Sequence, residues 1–284
     1  MMKSMKTRKK VGSVVYHCFV ILLGCVMLYP IAWLILSSFK PGDQIFLNAA
    51  NLIPEKFVLE NYRTGWAGFG GLTFATFFKN SLIVTILTVI GEVSTSTVVA
   101  YGFARVKFKG RGFWFTCMII TLLLPTQVLM IPQYIMFQKF GWLNSFLPLV
   151  VPAFTARPFF IFLIMQFIKG IPKSLDESAY IDGSSKIGTF LHIIVPLCVP
   201  SIITSAIFSF YWKWDDFMGP LLYLQTPKLY TVSLALKSFS DPSAGTNWGS
   251  LFAMLVASLI PSFVIFICFQ KYIVEGIATT GMKN

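Results

Sequence analysis

Charged residues are scarce in this 284-residue chain: Asp, Glu, Lys and Arg make up 12% of it, against 56% apolar residues. Soluble domains usually carry about 25% charged residues, and disordered chains are poor in apolar ones, so both classes are excluded. Acidic residues are rarer than basic ones, so the net charge is +12. Because Lys and Arg also determine topology in membranes, we expect a polytopic membrane protein without a nucleic acid partner.

The side chains that usually carry catalysis or metal binding are also sparse. Five cysteines are scattered through apolar stretches without C-x-x-C or Cys/His spacing, which excludes a recognisable redox or zinc motif. The two histidines, His17 and His192, lie far from any Ser/Asp pattern typical of a catalytic triad. The chain contains no G-x-x-x-x-G-K-[S/T] segment, so it has no phosphate-binding loop for ATP. We therefore expect neither an enzyme nor a bound metal.

Long apolar stretches are plentiful. A membrane-spanning helix needs about 20 mostly apolar residues. The first stretch follows five basic residues, as in a signal peptide, but it is too long and lacks a cleavage site, so we interpret it as a retained span. The predicted fold is all-α with six transmembrane helices, at approximately 14–36, 81–104, 113–135, 147–167, 197–217 and 249–269.

The basic residues predict the orientation of these spans. Fourteen Lys and Arg residues fall on the side of the N-terminus, four of them in the loop 105–111, and eight fall on the other side, where acidic residues dilute them. Positive residues favour the cytoplasmic side, so both termini are expected to be cytoplasmic. Outside, 37–79 is expected to be an irregular loop with a short helix, and 230–236 alternates with the period of a strand.

The cytoplasmic loop 168–196 is long and patterned. Ser174 and Glu177 have the spacing of a capping box, in which each side chain bonds a backbone N–H of the other residue. Gly183 can adopt the left-handed conformation that ends a helix, and a second helix is expected over 185–194. The loop is therefore predicted to be a helix–turn–helix at the membrane surface.

The same loop resembles the EAA loop of binding-protein-dependent ABC importers. Glu177-Ser-Ala179, Gly183, Ile193 and Pro196 match its spacing, with Ser178 and Val195 as mild departures. The stretches 100–108 (AYGFARVKF), 210–217 (FYWKWDDF) and 274–281 (VEGIATTG) are similar to the carbohydrate branch, the maltose-type permease subunits. The resemblance covers nearly the whole chain.

This resemblance implies a type I ABC importer permease fold in a bacterial inner membrane, in which the loop 168–196 is the coupling loop. The implied domains are a cytoplasmic N-terminus (1–13), a six-span domain that contains the coupling loop (14–271) and a cytoplasmic tail (272–284). The resemblance also implies a second homologous permease subunit, two cytoplasmic ATPase subunits that bind ATP and Mg²⁺, and an extracytoplasmic solute-binding protein. The implied substrate is a carbohydrate, with an oligosaccharide as the favoured class. The implied ATPase contacts are Glu177, Ala179, Asp182, Gly183, Ile193 and Pro196 in the loop and Thr279, Thr280 and Gly281 in the tail. From the residues alone, Glu177 could instead only cap its own helix, and Asp182 could only form the turn.

Polar and aromatic residues in the spans have two interpretations each. Trp212, Trp214, Asp215 and Asp216 form either an aromatic belt at the outer interface or a wall of the translocation path, where rings stack on sugars and carboxylates accept from hydroxyls. Gln127, beside Pro125, marks either a packing kink or a polar wall. An ion-coupled secondary transporter is the rival function, but the inverted repeats with broken helices typical of many such folds are not evident.

Two charges lie deep in the predicted spans. Glu92 and Arg157 are about equally far from the outer ends of the second and fourth spans. A charge at the bilayer centre costs about 2.5–3.5 kcal/mol on insertion scales, so each needs a partner. We predict that the two residues form an ion pair or share a polar network, with the translocation path or the second permease subunit as the alternative location.

Overall fold

A computed structural model describes the backbone of residues 2–47, 49–240 and 247–281, and the side chains within them from residue 12 to residue 272. The described residues form helices and loops without an extended strand. The helices are α1 (Met2–Ser37), α2 (Gln44–Leu47), α3 (Glu60–Ala67), α4 (Phe74–Arg105), α5 (Arg111–Thr121), α6 (Thr126–Lys139), α7 (Leu147–Val150), α8 (Pro158–Gly170), α9 (Ser174–Ile181), α10 (Lys186–Thr189), α11 (Val195–Leu197), α12 (Val199–Trp214), α13 (Met218–Tyr223), α14 (Val232–Phe239) and α15 (Trp248–Gly281).

Four described helical segments are long and apolar enough to cross a membrane: Gly12–Ser37, Phe74–Arg105, Leu147–Gly170 and Trp248–Tyr272. Two bent pairs bring the number to six if each pair is one span. The predicted third span is therefore not one straight helix, since α5 and α6 meet at 96°. Pro125 explains the break, because it lacks a backbone N–H and disfavours helical geometry in the residue before it.

The predicted fifth span is also shorter than expected. Its straight part is α12, and the segment Lys186–Leu197 joins α12 at 74°. Pro196 and Pro200 flank this bend. Asp215 and Asp216 consequently lie beyond the end of α12, in the turn that leads to α13.

The chain divides into two compact units, Met1–Phe69 with Leu236–Leu259 and Gly70–Ala235 with Ile260–Asn284. In the first unit, the loop after α1 is ordered by Asn61, whose amide donates to the carbonyls of Ser38 and Lys40 at 2.8 and 2.7 Å. Ser38 also bonds the Tyr62 hydroxyl at 2.7 Å. The predicted irregular loop thus contains two short helices, α2 and α3, held by side-chain to backbone bonds.

The second unit is built around α4, which packs against α8 and α12. Its buried face is rich in small and polar residues, including Ser81, Thr85, Thr88 and Gly91. An added Cβ at Gly91 would lie 2.8 Å from the Phe154 ring, so only glycine allows this approach. Small residues let neighbouring backbones approach closely in membranes, which places α4 at the centre of its unit.

One expectation about local structure was wrong. The alternating run 230–236 enters helix α14 rather than a strand, because Val232, Leu234 and Ala235 can all be buried on one side of a helix. The Val232 N–H, at the start of that helix, donates to the Ser81 hydroxyl at 2.8 Å. At the other end of the chain, α15 continues to Gly281 and so includes the start of the predicted tail at residue 272.

Candidate functional site: the cytoplasmic loop and the polar centre of the bundle

The loop between α8 and α12 folds as two helical segments joined by a tight turn. The first is α9, and the second runs from Lys186 to Leu197 through α10, a π-helical turn and α11. Gly183 has φ = 82°, and the Ser184 N–H donates to the Ala179 carbonyl at 2.9 Å across it. The prediction that Gly183 ends the first helix in a left-handed conformation is confirmed.

The capping box predicted at the start of α9 is not formed. Ser174 makes no capping bond, because the backbone of Pro172 and Lys173 already accepts from the first turn of the helix. The cap lies instead at the second segment, where the Ser185 hydroxyl accepts from the Gly188 N–H at 3.0 Å. Glu177 therefore has no capping role at the start of α9. Its carboxylate is exposed and available to a partner.

Two residues of α4 hold this loop in place. Arg105 donates from Nη2 to the Ile171 carbonyl at 2.7 Å, and its Nε lies 3.1 Å from Asp176 Oδ2 without hydrogen-bond alignment. Tyr101 donates to the Lys186 carbonyl at 3.3 Å, and its ring lies 4.8 Å from that of Phe190. Both anchors belong to the stretch 100–108, which sequence reasoning used only to support the resemblance. The second span and both halves of the loop are thereby connected.

The loop residues implied as partner contacts fall into two groups. Glu177, Asp182, Gly183 and Pro196 are exposed, and Ile193 is half-buried. Ala179 is 6% exposed and packs within its own chain, so its small side chain leaves the partner contacts of this helix to its exposed neighbours. Large apolar side chains are exposed on the same loop: Leu175, Tyr180, Ile181, Ile187 and Leu191.

The two charges predicted to meet in the bundle do so. Arg157 Nη1 lies 3.2 Å from Glu92 Oε1, and the Ser209 hydroxyl donates to Glu92 Oε2 at 2.7 Å. The Glu92 side chain is 11% exposed and that of Arg157 is 40% exposed. Ser96 accepts from the Arg157 N–H at 3.0 Å, which ties the start of α8 to α4. One network therefore joins α4, α8 and α12.

An aromatic face completes this network. The Arg157 guanidinium carbon lies 4.5 Å from the Trp212 ring centroid, and Trp212 stacks on Phe160 at 5.4 Å. A cation over the face of Trp is attracted by the ring quadrupole. Ser209 was not singled out from the sequence, because one serine in an apolar helix carries no spacing signal.

The other candidate path residues do not form one site. Trp214 is buried and stacks on Phe210 at an interplanar angle of 7°, which is a packing role. Asp216 accepts from Lys213 Nζ and from the Gly219 N–H, both at 3.0 Å, so it caps α13. Asp215 and Gln127 are exposed. Of the five residues proposed for the translocation path, Trp212 alone contacts the polar centre among the described side chains.

The remaining expectations concern a metal and the tail. The described residues contain no group of three or more His, Cys, Asp and Glu side chains that could hold a metal ion. The side chains of Thr279 and Thr280 lie outside the part of the chain that the structure describes, so the ATPase contacts implied for these two residues and for Gly281 stay predictions.

A bundle of apolar helices with two bent pairs and a structured polar loop defines a multi-spanning membrane protein. Residues 93–279 match the family model described as binding-protein-dependent transport system inner membrane component. The chain belongs to this family.

Relatives support the assignment over the whole chain. The probable ABC transporter permease protein YurM of Bacillus subtilis (strain 168) is 35% identical, covering 98% of this chain and 92% of its own length. The arabinooligosaccharides transport system permease protein AraQ of Halalkalibacterium halodurans is 32% identical, covering 92% and 93%. A chain of a bacterial ABC transporter involved in the import of the acidic polysaccharide alginate is similar in fold, with a TM-score of 0.80, 19% identity and coverage of 93% and 96%. The protein is therefore an ABC importer permease with the type I fold, and it works with a solute-binding protein.

Proposed function

We propose that this chain is one permease subunit of an ATP-driven importer for a carbohydrate, with an oligosaccharide as the favoured substrate class. The substrate proposal is supported by the relatives, one of which is named for arabinooligosaccharide transport and one for the acidic polysaccharide alginate. Each of these names describes the protein that carries it, and together they favour an oligosaccharide for this chain.

The surface of the coupling loop supports the proposal that partner chains hydrolyse the ATP. Its exposed apolar side chains and the exposed carboxylates of Glu177 and Asp182 fit a docking surface for a cytoplasmic ATPase. Apolar anchors surrounded by charges are typical of specific protein interfaces. ATP and Mg²⁺ would bind to two such ATPase subunits, and a second homologous permease would complete the transport path.

The orientation follows from charge. With both termini, the loop 105–111 and the coupling loop in the cytoplasm, the positive side of the chain faces inward in the plasma membrane. The loops 37–79 and 224–248 would then face the solute-binding protein. The domain boundaries proposed from the sequence (1–13, 14–271 and 272–284) follow the same scheme.

The decisive experiment uses the complete transporter, reconstituted with its binding protein. Sugar-stimulated ATP hydrolysis and uptake are measured over a panel of oligosaccharides, guided by ligand-induced thermal shifts of the binding protein. Glu177→Gln should reduce the stimulation, because it removes a charge offered to the ATPase while keeping side-chain size. Ser174→Ala is the matched control on the same helix. Unchanged stimulation in Glu177→Gln, or an equal loss in Ser174→Ala, would contradict a charge contact at Glu177, and sugar uptake without an ATPase would refute ATP-driven import.

A further inference from the structure

A cavity of about 290 Å³ lies between the ends of α4, α5 and α8 that face the coupling loop. Its lining is mostly apolar: the ring centroids of Phe103 and Phe115 lie 5.8 Å apart, and Met165, which also lines the cavity, is buried. Arg111 and Lys169 are its two charged residues. An apolar cavity with two cations at its edge suits a ligand that has an anionic head and a hydrocarbon body.

The two cations have no acidic partner in the described structure. None of the ion pairs among the described side chains involves Arg111 or Lys169. The Lys169 ammonium lies 5.7 Å from the Phe115 ring centroid, so its charge is held above the cavity wall. Neither cation is neutralised within the part of the chain that the structure describes.

The position of Arg111 is also unfavourable without an anion. Arg111 is the first residue of α5, whose first turn contains no acidic residue. The N-terminus of a helix carries a partial positive charge and free N–H groups, which stabilise anions and repel cations. An anion at the cavity mouth would meet Arg111, Lys169 and these N–H groups together.

We propose that this cavity binds an anionic membrane phospholipid, with its phosphate between Arg111 and Lys169 and the start of an acyl chain against Phe115 and Met165. Basic pockets between membrane helices are a recurring site for anionic lipid headgroups. The apolar lining favours a lipid over free phosphate, which would gain nothing from the aromatic walls. The site lies in the membrane-embedded family fold and does not depend on the substrate or on the ATPase contacts proposed above.

The test uses the assembled transporter in nanodiscs made from equal parts of phosphatidylcholine and phosphatidylglycerol. After extraction and washing, native mass spectrometry measures how much phosphatidylglycerol stays bound. Each basic residue near an anionic lipid surface is worth about fivefold in affinity, so Arg111→Gln with Lys169→Gln should weaken retention about 25-fold. Lys107→Gln with Lys109→Gln is the matched control, because it removes the same charge from exposed positions of the same loop that do not line the cavity.

Two further variants separate the lipid site from misfolding and from general charge effects. Arg111→Lys with Lys169→Arg keeps both charges and should retain the lipid. Gly112→Leu adds apolar volume at a lining residue where an added Cβ meets nothing within 4 Å, so it should lower retention without altering charge or assembly. Equal retention in the pocket and control variants would overturn the proposal. Displacement of the bound lipid by inorganic phosphate alone would show a free-phosphate site instead and would also overturn it.

Discussion

Replacing Arg157 with Gln should destabilise this protein more than replacing Glu92 with Gln, although the two changes break the same ion pair. The Glu92 side chain is 11% exposed and depends on Arg157 and Ser209 for its hydrogen bonds. The Arg157 side chain is 40% exposed and also stacks over Trp212. Arg157→Gln therefore leaves a buried carboxylate without its cation, whereas Glu92→Gln leaves a cation that keeps an aromatic partner.

The magnitudes follow from this asymmetry. Removing one partner of a buried ion pair costs about 3–5 kcal/mol, and we expect Arg157→Gln at the lower end, about 3 kcal/mol, because part of the site is open. Glu92→Gln should cost about 1 kcal/mol, since a neutral amide still accepts and donates hydrogen bonds. The double variant, Glu92→Gln with Arg157→Gln, has no charge left without a partner. It should lose about 1–2 kcal/mol of unfolding free energy, less than Arg157→Gln alone.

The assay is the thermal unfolding midpoint of the assembled transporter in nanodiscs, together with the amount inserted in the membrane. Arg63→Gln breaks the exposed pair with Glu60 and serves as the control, because such pairs are worth only about 0–1 kcal/mol. The charge swap of Glu92 and Arg157 should recover less than the neutral pair, because a carboxylate would then face Trp212. A double variant as damaged as Arg157→Gln, or a Glu92→Gln variant that is the most damaged, would refute the reasoning.

Three further predictions concern the loop and the orientation. Gly183→Val should reduce sugar-stimulated ATP hydrolysis, since the left-handed conformation of this turn costs a β-branched residue about 1–2 kcal/mol. Gly183→Asn should stay close to wild type, because Asn tolerates that conformation. Equal hydrolysis rates in the two variants would exclude a role for the turn. Arg105→Leu should uncouple ATP hydrolysis from sugar uptake, because it releases Asp176 of the coupling loop. Lys109→Leu, at an exposed position, is the control and should leave coupling unaffected. Normal coupling in both variants would rule out Arg105 as an anchor of the loop. In a cysteine-free background, Lys228→Cys should react with a membrane-impermeant reagent added from outside, whereas Lys109→Cys should not. The reverse labelling pattern would invert the proposed orientation.

The coupling loop shows which features local sequence determines. Gly183 was predictable because the left-handed conformation is costly for most side chains and free of strain for glycine, so its position marks the end of α9. The capping box was not, because Ser174 and Glu177 have the right spacing while backbone acceptors of the preceding turn take the bonds. The anchor of the loop was also missed, since Arg105 and Asp176 are 71 residues apart and no local pattern joins them.

By itself, the sequence determined the membrane class, the approximate number of spans, the family and the presence of a structured coupling loop, because apolar length, basic loops and motif spacing are local properties of the chain. It also determined that Glu92 and Arg157 need partners, because the cost of a charge in hydrocarbon does not depend on the fold. The tertiary structure decided which partners they have, bringing Ser209 and Trp212 from α12 to the same point. It also decided the bends of the third and fifth spans and the cavity beside Arg111, since these depend on how distant helices pack and not on any one segment.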